Sequence, residues 1–266
     1  MASNLGCIGL QPESEDGLLT LLNAVEGSMR PLGRTDQGAE VLQWTDDSGA
    51  RLTLTVSGDD IVDLVPSYAG PTGVSLAGAT RHGDFVAADV LDGDGELTTR
   101  LLCELEQRAF LPADGASGAA ALTAFGLDVA VHPSEAAFTA SDDSLLTPRE
   151  SAGAAASGAG AARLAPESFI SLGLFGTAGS QGDAEPYARL SGRVTSTETR
   201  TNSRTGQRFH AVGVQSIGMR LTVCLAATDH PTPPTSGSVV SGIVYLAASM
   251  PSLWPSAQRD RPTTRR

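Results

Sequence analysis

Arg193-Val-Thr-Ser-Thr-Glu-Thr-Arg200-Thr-Asn-Ser-Arg204-Thr-Gly-Gln-Arg208-Phe-His210 sets the fold class. Threonine and valine favour a pleated strand, and Asn202 to Gly206 is turn chemistry. The spacing predicts a long strand over Tyr187 to Thr201, with Leu190 and Val194 inward, and a returning strand over Gln207 to Ile217. Met219 to Ala226 and Val239 to Leu246 read as third and fourth strands, separated by the stiff Pro231-Thr-Pro-Pro-Thr-Ser-Gly237 loop.

Within residues 187–249, four pieces carry a resemblance. They are Leu190-Ser-Gly-Arg-Val194, the Asn202 to Gly206 turn, Gly218-Met-Arg-Leu-Thr-Val223 and Ser236-Gly-Ser-Val-Val-Ser-Gly-Ile-Val244. Together they resemble an OB-fold-like β-barrel in outline, with a glycine inside the first strand. The resemblance implies a binding face of the kind that takes single-stranded nucleic acid or oligosaccharide. Tyr187, Phe209 and Tyr245 are its candidate aromatics.

Upstream, residues 4–11 read as a short apolar strand. Ser14 is a candidate N-cap for a helix bearing Leu18, Leu19, Leu21, Leu22 and Val25, which should stop near Gly27. Glu40 to Thr45, Arg51 to Val56 and Ile61 to Val65 read as strands, the last ended by Pro66. Residues 69–84 read as a glycine-rich loop. Phe85 to Leu91 and Leu97 to Leu105 form a predicted hairpin around Asp92-Gly-Asp-Gly95. Leu122–Phe125 and Leu127–His132 are two further strand candidates. No internal repeat aligns.

All 18 basic residues are arginine. Residues 1–150 hold 24 acidic residues against 7 arginines, and residues 151–266 hold 6 against 11. The chain thus divides into a segment of net −17 and one of net +5. The sign changes across the low-complexity Ala/Gly stretch, whose composition cannot build a core. The expected architecture is α+β and β-rich. It comprises an acidic strand-helix-meander domain (1–149), an Ala/Gly-rich linker or loop (150–165), a small OB-like barrel domain (166–255) and a disordered basic tail (256–266).

The absence of lysine excludes P-loop, Schiff-base and protein-kinase chemistry. Cys7, Cys103 and Cys224 are far apart and odd in number, which predicts free thiols rather than a disulfide framework. The N-terminus lacks the pattern of a secretory leader, and no apolar run suits a membrane helix, so the expected setting is cytoplasmic, with no membrane partner. Asp92, Asp94 and Glu96 have the opening spacing of a calcium loop, but Leu97 and Cys103 stand where glycine and glutamate are needed, so a hairpin turn is expected. Gly73-Val-Ser75-Leu-Ala77 approximates a nucleophile elbow without the strand–helix context or a suitably spaced acid and histidine, which leaves a loop serine. His82, His132, His210 and His230 have no metal-ligand spacing. Neither a metal nor another cofactor is expected.

The candidate binding residues are therefore Arg193, Arg200, Arg204, Arg208, Phe209 and His210 on the hairpin. The leading expectation is a non-catalytic binding or assembly protein acting through protein–protein contacts, with a protein partner or self-association driven by the two charge signs. Nucleic-acid or polyanion binding through the Arg/Thr-rich hairpin 189–210 is the alternative, opposed by the net charge of −12. An enzyme with a dispersed site is the second alternative.

Overall fold

The structure is a computed structural model that describes residues 3–12, 14–146, 162–175 and 185–255. Most of the expected linker (150–161) and all of the expected basic tail lie outside the described residues. The chain is β-rich, with one nine-stranded mixed sheet and one four-stranded sheet.

The chain enters through a 3-10 turn at Gly6–Ile8 rather than a strand. Three apolar residues fit several periods, and Gly9, at φ 70°, reverses the chain before a ladder forms. Helix α1 (Glu15–Glu26) begins as expected, with the Ser14 hydroxyl accepting from Gly17 N at 3.1 Å. An antiparallel meander follows: β1 (Arg30–Arg34), β2 (Glu40–Thr45), β3 (Ala50–Ser57) and β4 (Asp60–Tyr68). Strand β4 runs through Pro66 instead of ending there. It is an edge strand, so the missing amide breaks no ladder bond.

The nine-stranded sheet uses β5 (Val74–His82), β6 (Phe85–Leu91), β7 (Leu97–Leu105) and β8 (Ala116–His132). After helix α2 (Glu135–Ala140) come β9 (Ser168–Ser171), β10 (Tyr187–Thr201), β11 (Arg208–Ser216), β12 (Met219–Ala226) and β13 (Val239–Ser249). Strand β5 occupies the expected loop. Its alternation is interrupted by a bulge between Ala77 and Thr80 that takes up Gly78. The two candidates at 122–132 are one 17-residue strand. No boundary divides this sheet at 150–165: β8 pairs with β12 and β13 from beyond it.

The pairings close two rings. One is β5–β6–β7–β13–β8, the other β10–β11–β12–β8–β13. Each ring is a four-stranded unit, β5–β8 or β10–β13, that borrows the other's last strand. In each, the third strand runs parallel to the borrowed one: β7 to β13 at Glu104↔Ala247, and β12 to β8 at Cys224↔Phe125. In each, the first strand is bulged. This is a repeat of connectivity that the residues themselves do not display.

The main core lies inside the rings, where Val86, Leu101, Cys103, Leu122, Leu190, Val223, Val244 and Leu246 are buried. The opposite face of β13 presents Tyr245 and Ala247 to a second core. There Phe125, Phe209 and Cys224 meet Cys7, Ile8, Trp44, Leu52 and Tyr68 from the N-terminal segment and the meander. Full burial of each large apolar side chain contributes about 1.5–3 kcal/mol, which is what seats the meander on the rings.

The β8–β13 contact admits no extra atom at Gly242. There φ is 149°, and a Cβ would lie 2.0 Å from the Asp128 carbonyl oxygen. Gly242→Ala should cost at least about 2 kcal/mol in urea unfolding, from steric overlap and backbone strain together. Gly93→Ala, where a Cβ meets nothing within 4 Å, should change stability by less than about 0.5 kcal/mol. Equal effects would contradict the register at the shared pair.

Candidate functional site

Titratable groups converge where β7 runs out into Glu104-Leu-Glu-Gln-Arg108 and the meander covers it. Arg108 donates through Nη1 to Glu104 Oε1 at 2.9 Å and through Nε to Asp63 Oδ2 of β4 at 2.7 Å. Tyr245 donates to Glu104 Oε2 at 3.1 Å. Glu106, with its side chain fully buried, accepts from Gln43 at 2.6 Å, Ser67 at 2.8 Å, Gln107 at 3.2 Å and Arg51 at 3.5 Å. Gln107 ties the cluster to β13, donating to Ser249 at 2.9 Å and accepting from Met250 N at 2.8 Å.

Burial pushes the Glu104 carboxyl above its ordinary range, against the pull of Arg108. Burial opposes the charge on Arg108, and the bonds to Asp63 and Glu104 outweigh it. Burial, then the Glu104 charge, pushes the Tyr245 phenol up. A permanent cation thus sits against two carboxylates, every arm spoken for, and none of these residues lines the grooves of about 530 and 220 Å³. The arrangement clamps the meander to the rings. Single-sequence reading missed it, because Glu104 and Glu106 at i, i+2 look like the solvated face of a strand.

The hairpin residues chosen from sequence do not form one surface. Arg193 is held by Glu135 at 2.7 Å and Glu167 at 3.0 Å. Arg200 pairs with Glu198. Arg204 reaches Ser28 Oγ at 3.5 Å, and Arg208 stands exposed at the start of β11. Phe209 and His210 correct the expectation of a binding role on the hairpin surface, since both are fully buried. Phe209 packs edge-on against Tyr68 with centroids 6.0 Å apart. His210 Nε2 faces the His230 carbonyl oxygen at 2.8 Å, and Nδ1 lies 2.9 Å from the Thr199 hydroxyl.

The hairpin turn is also covered. Thr205 donates to Gly9 O at 2.6 Å, and Gln207 exchanges two bonds of 2.9 Å with the Gln11 backbone. Asp46 accepts from Ser48 N at 2.9 Å, from Ser203 N at 3.2 Å and from the Ser203 hydroxyl. Burial alone raises its pKa, but the bonds from Ser203 and Ser48 outweigh this and hold the carboxyl below its ordinary value of 3.8.

Open grooves among the described residues include two. The smaller, about 220 Å³, lies between Asp46, Asp47, Trp44, Ser28, Ser203 and Arg204. The larger, about 530 Å³, lies where the rings' hairpin tips meet and is walled by Thr72–Ser75, Asp92, Gly93 and the 215–220 turn. Ser75 lines it on β5. Asp92 accepts from Asp94 N and Glu96 N at 2.9 and 3.0 Å, closing its own turn. Arg220 Nε donates to Gln215 Oε1 at 3.2 Å, and among the described residues nothing bonds its terminal nitrogens. Gly218 packs against the Thr98 side chain with no room for a Cβ, so Ile217 and Leu97, 48% and 63% exposed, stand beside this contact.

Cys7, Cys103 and Cys224 are buried free thiols. Burial pushes Cys7 and Cys103 up to about 12, so their sulfurs are protonated and covered. Among the described residues no group of three or more His, Cys, Asp or Glu side chains converges to hold a metal, and no helix is long and apolar enough to cross a membrane. No family model, curated protein or solved structure matches the chain.

Two outcomes follow from the clamp and the turn. Arg108→Met should cost about 3–5 kcal/mol by leaving Glu104 uncompensated, and the double variant with Glu104→Leu should cost less than the single. A double variant that costs the sum of its parts would deny the pairing. Asp46→Asn should cost about 1–3 kcal/mol at neutral pH. Because the folded pKa of Asp46 is depressed, its contribution is present above 3.8 and fades as pH falls below that value. The stability gap between Asp46→Asn and wild type should therefore narrow in acid, and a gap independent of pH would contradict the assignment.

Proposed function

We propose that this chain is a non-catalytic binding or assembly protein that works through protein–protein contacts at the larger groove. The observation that carries the reading is the exposure of Leu97 and Ile217, the chain neighbours of Thr98 and of the groove residue Gly218, which are in contact. Single exposed aliphatics are ordinary, but two on adjoining turns make a candidate contact surface. Arg220, anchored on one side by Gln215, adds a cation for a partner's carboxylate.

We also read each ring as OB-like. Strand order, the parallel third and borrowed strands and the bulged first strand support this. The face such a barrel offers to ligands lies over its second and third strands. In the β10–β12 ring that face is occupied by Cys7, Ile8, Trp44 and Leu52 of the same chain. This, together with the intramolecular ion pairs of Arg193 and Arg200, weighs against the polyanion alternative. It also leaves the tips where the two rings meet as the open surface.

The test is selection of random peptides on the immobilised full chain. Enriched peptides should bind at least about tenfold more weakly to Ile217→Asp or Arg220→Glu. No enrichment, or binding indifferent to both substitutions, would remove the reading.

A further inference from the structure

Arg220 and Asp92 line the same groove, and neither an ion pair nor a hydrogen bond joins them. Each is held through one part of its side chain while the rest stays uncommitted. Arg220 is anchored through Nε on Gln215 Oε1 at 3.2 Å, and Gln215 in turn donates to Ser216 O at 3.0 Å. The two terminal nitrogens of Arg220 bond no described residue. Asp92 spends Oδ1 on the amides of Asp94 and Glu96, and its Oδ2 bonds no described residue. The hydroxyls of Thr72 and Ser75, in the same wall, are likewise without a bond among the described residues.

Opposite charges left apart in one groove are solvated singly, and a ligand carrying the reverse pair satisfies both at once. A ligand of one sign alone does not: an acidic one faces Asp92 and a basic one faces Arg220. The shape is as selective as the charge. One helical turn, about 10 Å across and about 5.4 Å long, would nearly fill a space of about 530 Å³. By contrast, Gly73, Gly93, Gly218 and Ala119 let an extended chain approach the backbone of the wall.

We infer that the groove holds an extended segment of a partner protein that bears an acidic side chain for Arg220 and a basic side chain for Asp92. The inference rests on the assembly reading and specifies the partner's chemistry. The segment's carboxylate takes the two free arms of the guanidinium, its base takes Asp92 Oδ2, and the Thr72 and Ser75 hydroxyls are available to its peptide groups. Arg220 is exposed and Asp92 half-buried, so added salt weakens the complex.

Peptides selected on the full chain provide the test, with Asp92→Asn and Arg220→Gln as probes. Asparagine keeps the Oδ1 acceptor that closes the turn and removes only the charge, and intact mass confirms that the amide persists. Both variants should keep the wild-type circular dichroism spectrum. Enriched peptides should carry one acid and one base at a constant spacing. Asp92→Asn should weaken them at least about tenfold, and replacing the peptide's base by glutamine should add nothing to that loss. Arg220→Gln and the peptide's acid should be coupled in the same way. Peptides that need Ile217 and Arg220 but lack a base, or that bind Asp92→Asn as tightly as wild type, overturn the inference and leave the contact reading standing. No enrichment removes both. Sedimentation velocity supplies the last arm: self-association of the full chain that both substitutions abolish would put a second copy in the groove and overturn the assignment to a different protein.

Discussion

Strands β8 and β13 each serve two rings of paired strands, and the rest of the architecture follows from how their backbone edges are shared. A strand has two edges, and each of these spends one on the other from Ala121↔Ser249 to His132↔Val239. The remaining edge of β8 belongs to β5 at 118–120 and to β12 at 123–125. That of β13 belongs to β10 at 239–245 and to β7 at 247–248. Buried amides must be paired, so both strands must be long enough to change neighbours midway. The 17 residues of β8 and the close approach at Gly242 are consequences of that demand.

The charge that is separated along the polypeptide is brought together in the fold. Arg193 meets Glu135, and Asp46 anchors the turn that carries Arg204. The acidic half supplies partners for the basic hairpin within one copy. The buried Arg108 clamp then locks the meander over the outer face of β11 and β12. With that face filled from within, the groove of about 530 Å³ lies away from it, between the β5 end, the Asp92 turn and the start of β12.

Local pattern made some elements legible. Helix α1 was readable from Ser14 and its apolar spacing, and the β6–β7 hairpin from alternation around Asp92 to Gly95. Strand β5 was hidden because Gly78 and its bulge break the period. The entry turn at Gly6–Ile8 mimicked a strand because a short apolar run fits either form. The shared pair could not be read at all, since alternation says which face is apolar but not which strand lies alongside. For the same reason Phe209 and His210 looked available: their burial depends on Tyr68, Thr199 and the N-terminal segment arriving over them. Glu104 and Arg108 looked solvated until β4 placed Asp63 against them.

Native-state hydrogen exchange tests the shared pair most directly. If β8 and β13 hold both rings in one cooperative unit, the slowest amides of β5–β7 and of β10–β12 should open with the same free energy as those of 121–132 and 239–249, at the global unfolding limit. Should the β10–β12 amides exchange together at a clearly lower free energy while β5–β8 stay protected, the rings would be separate bodies, and an account built on two strands common to both would be contradicted.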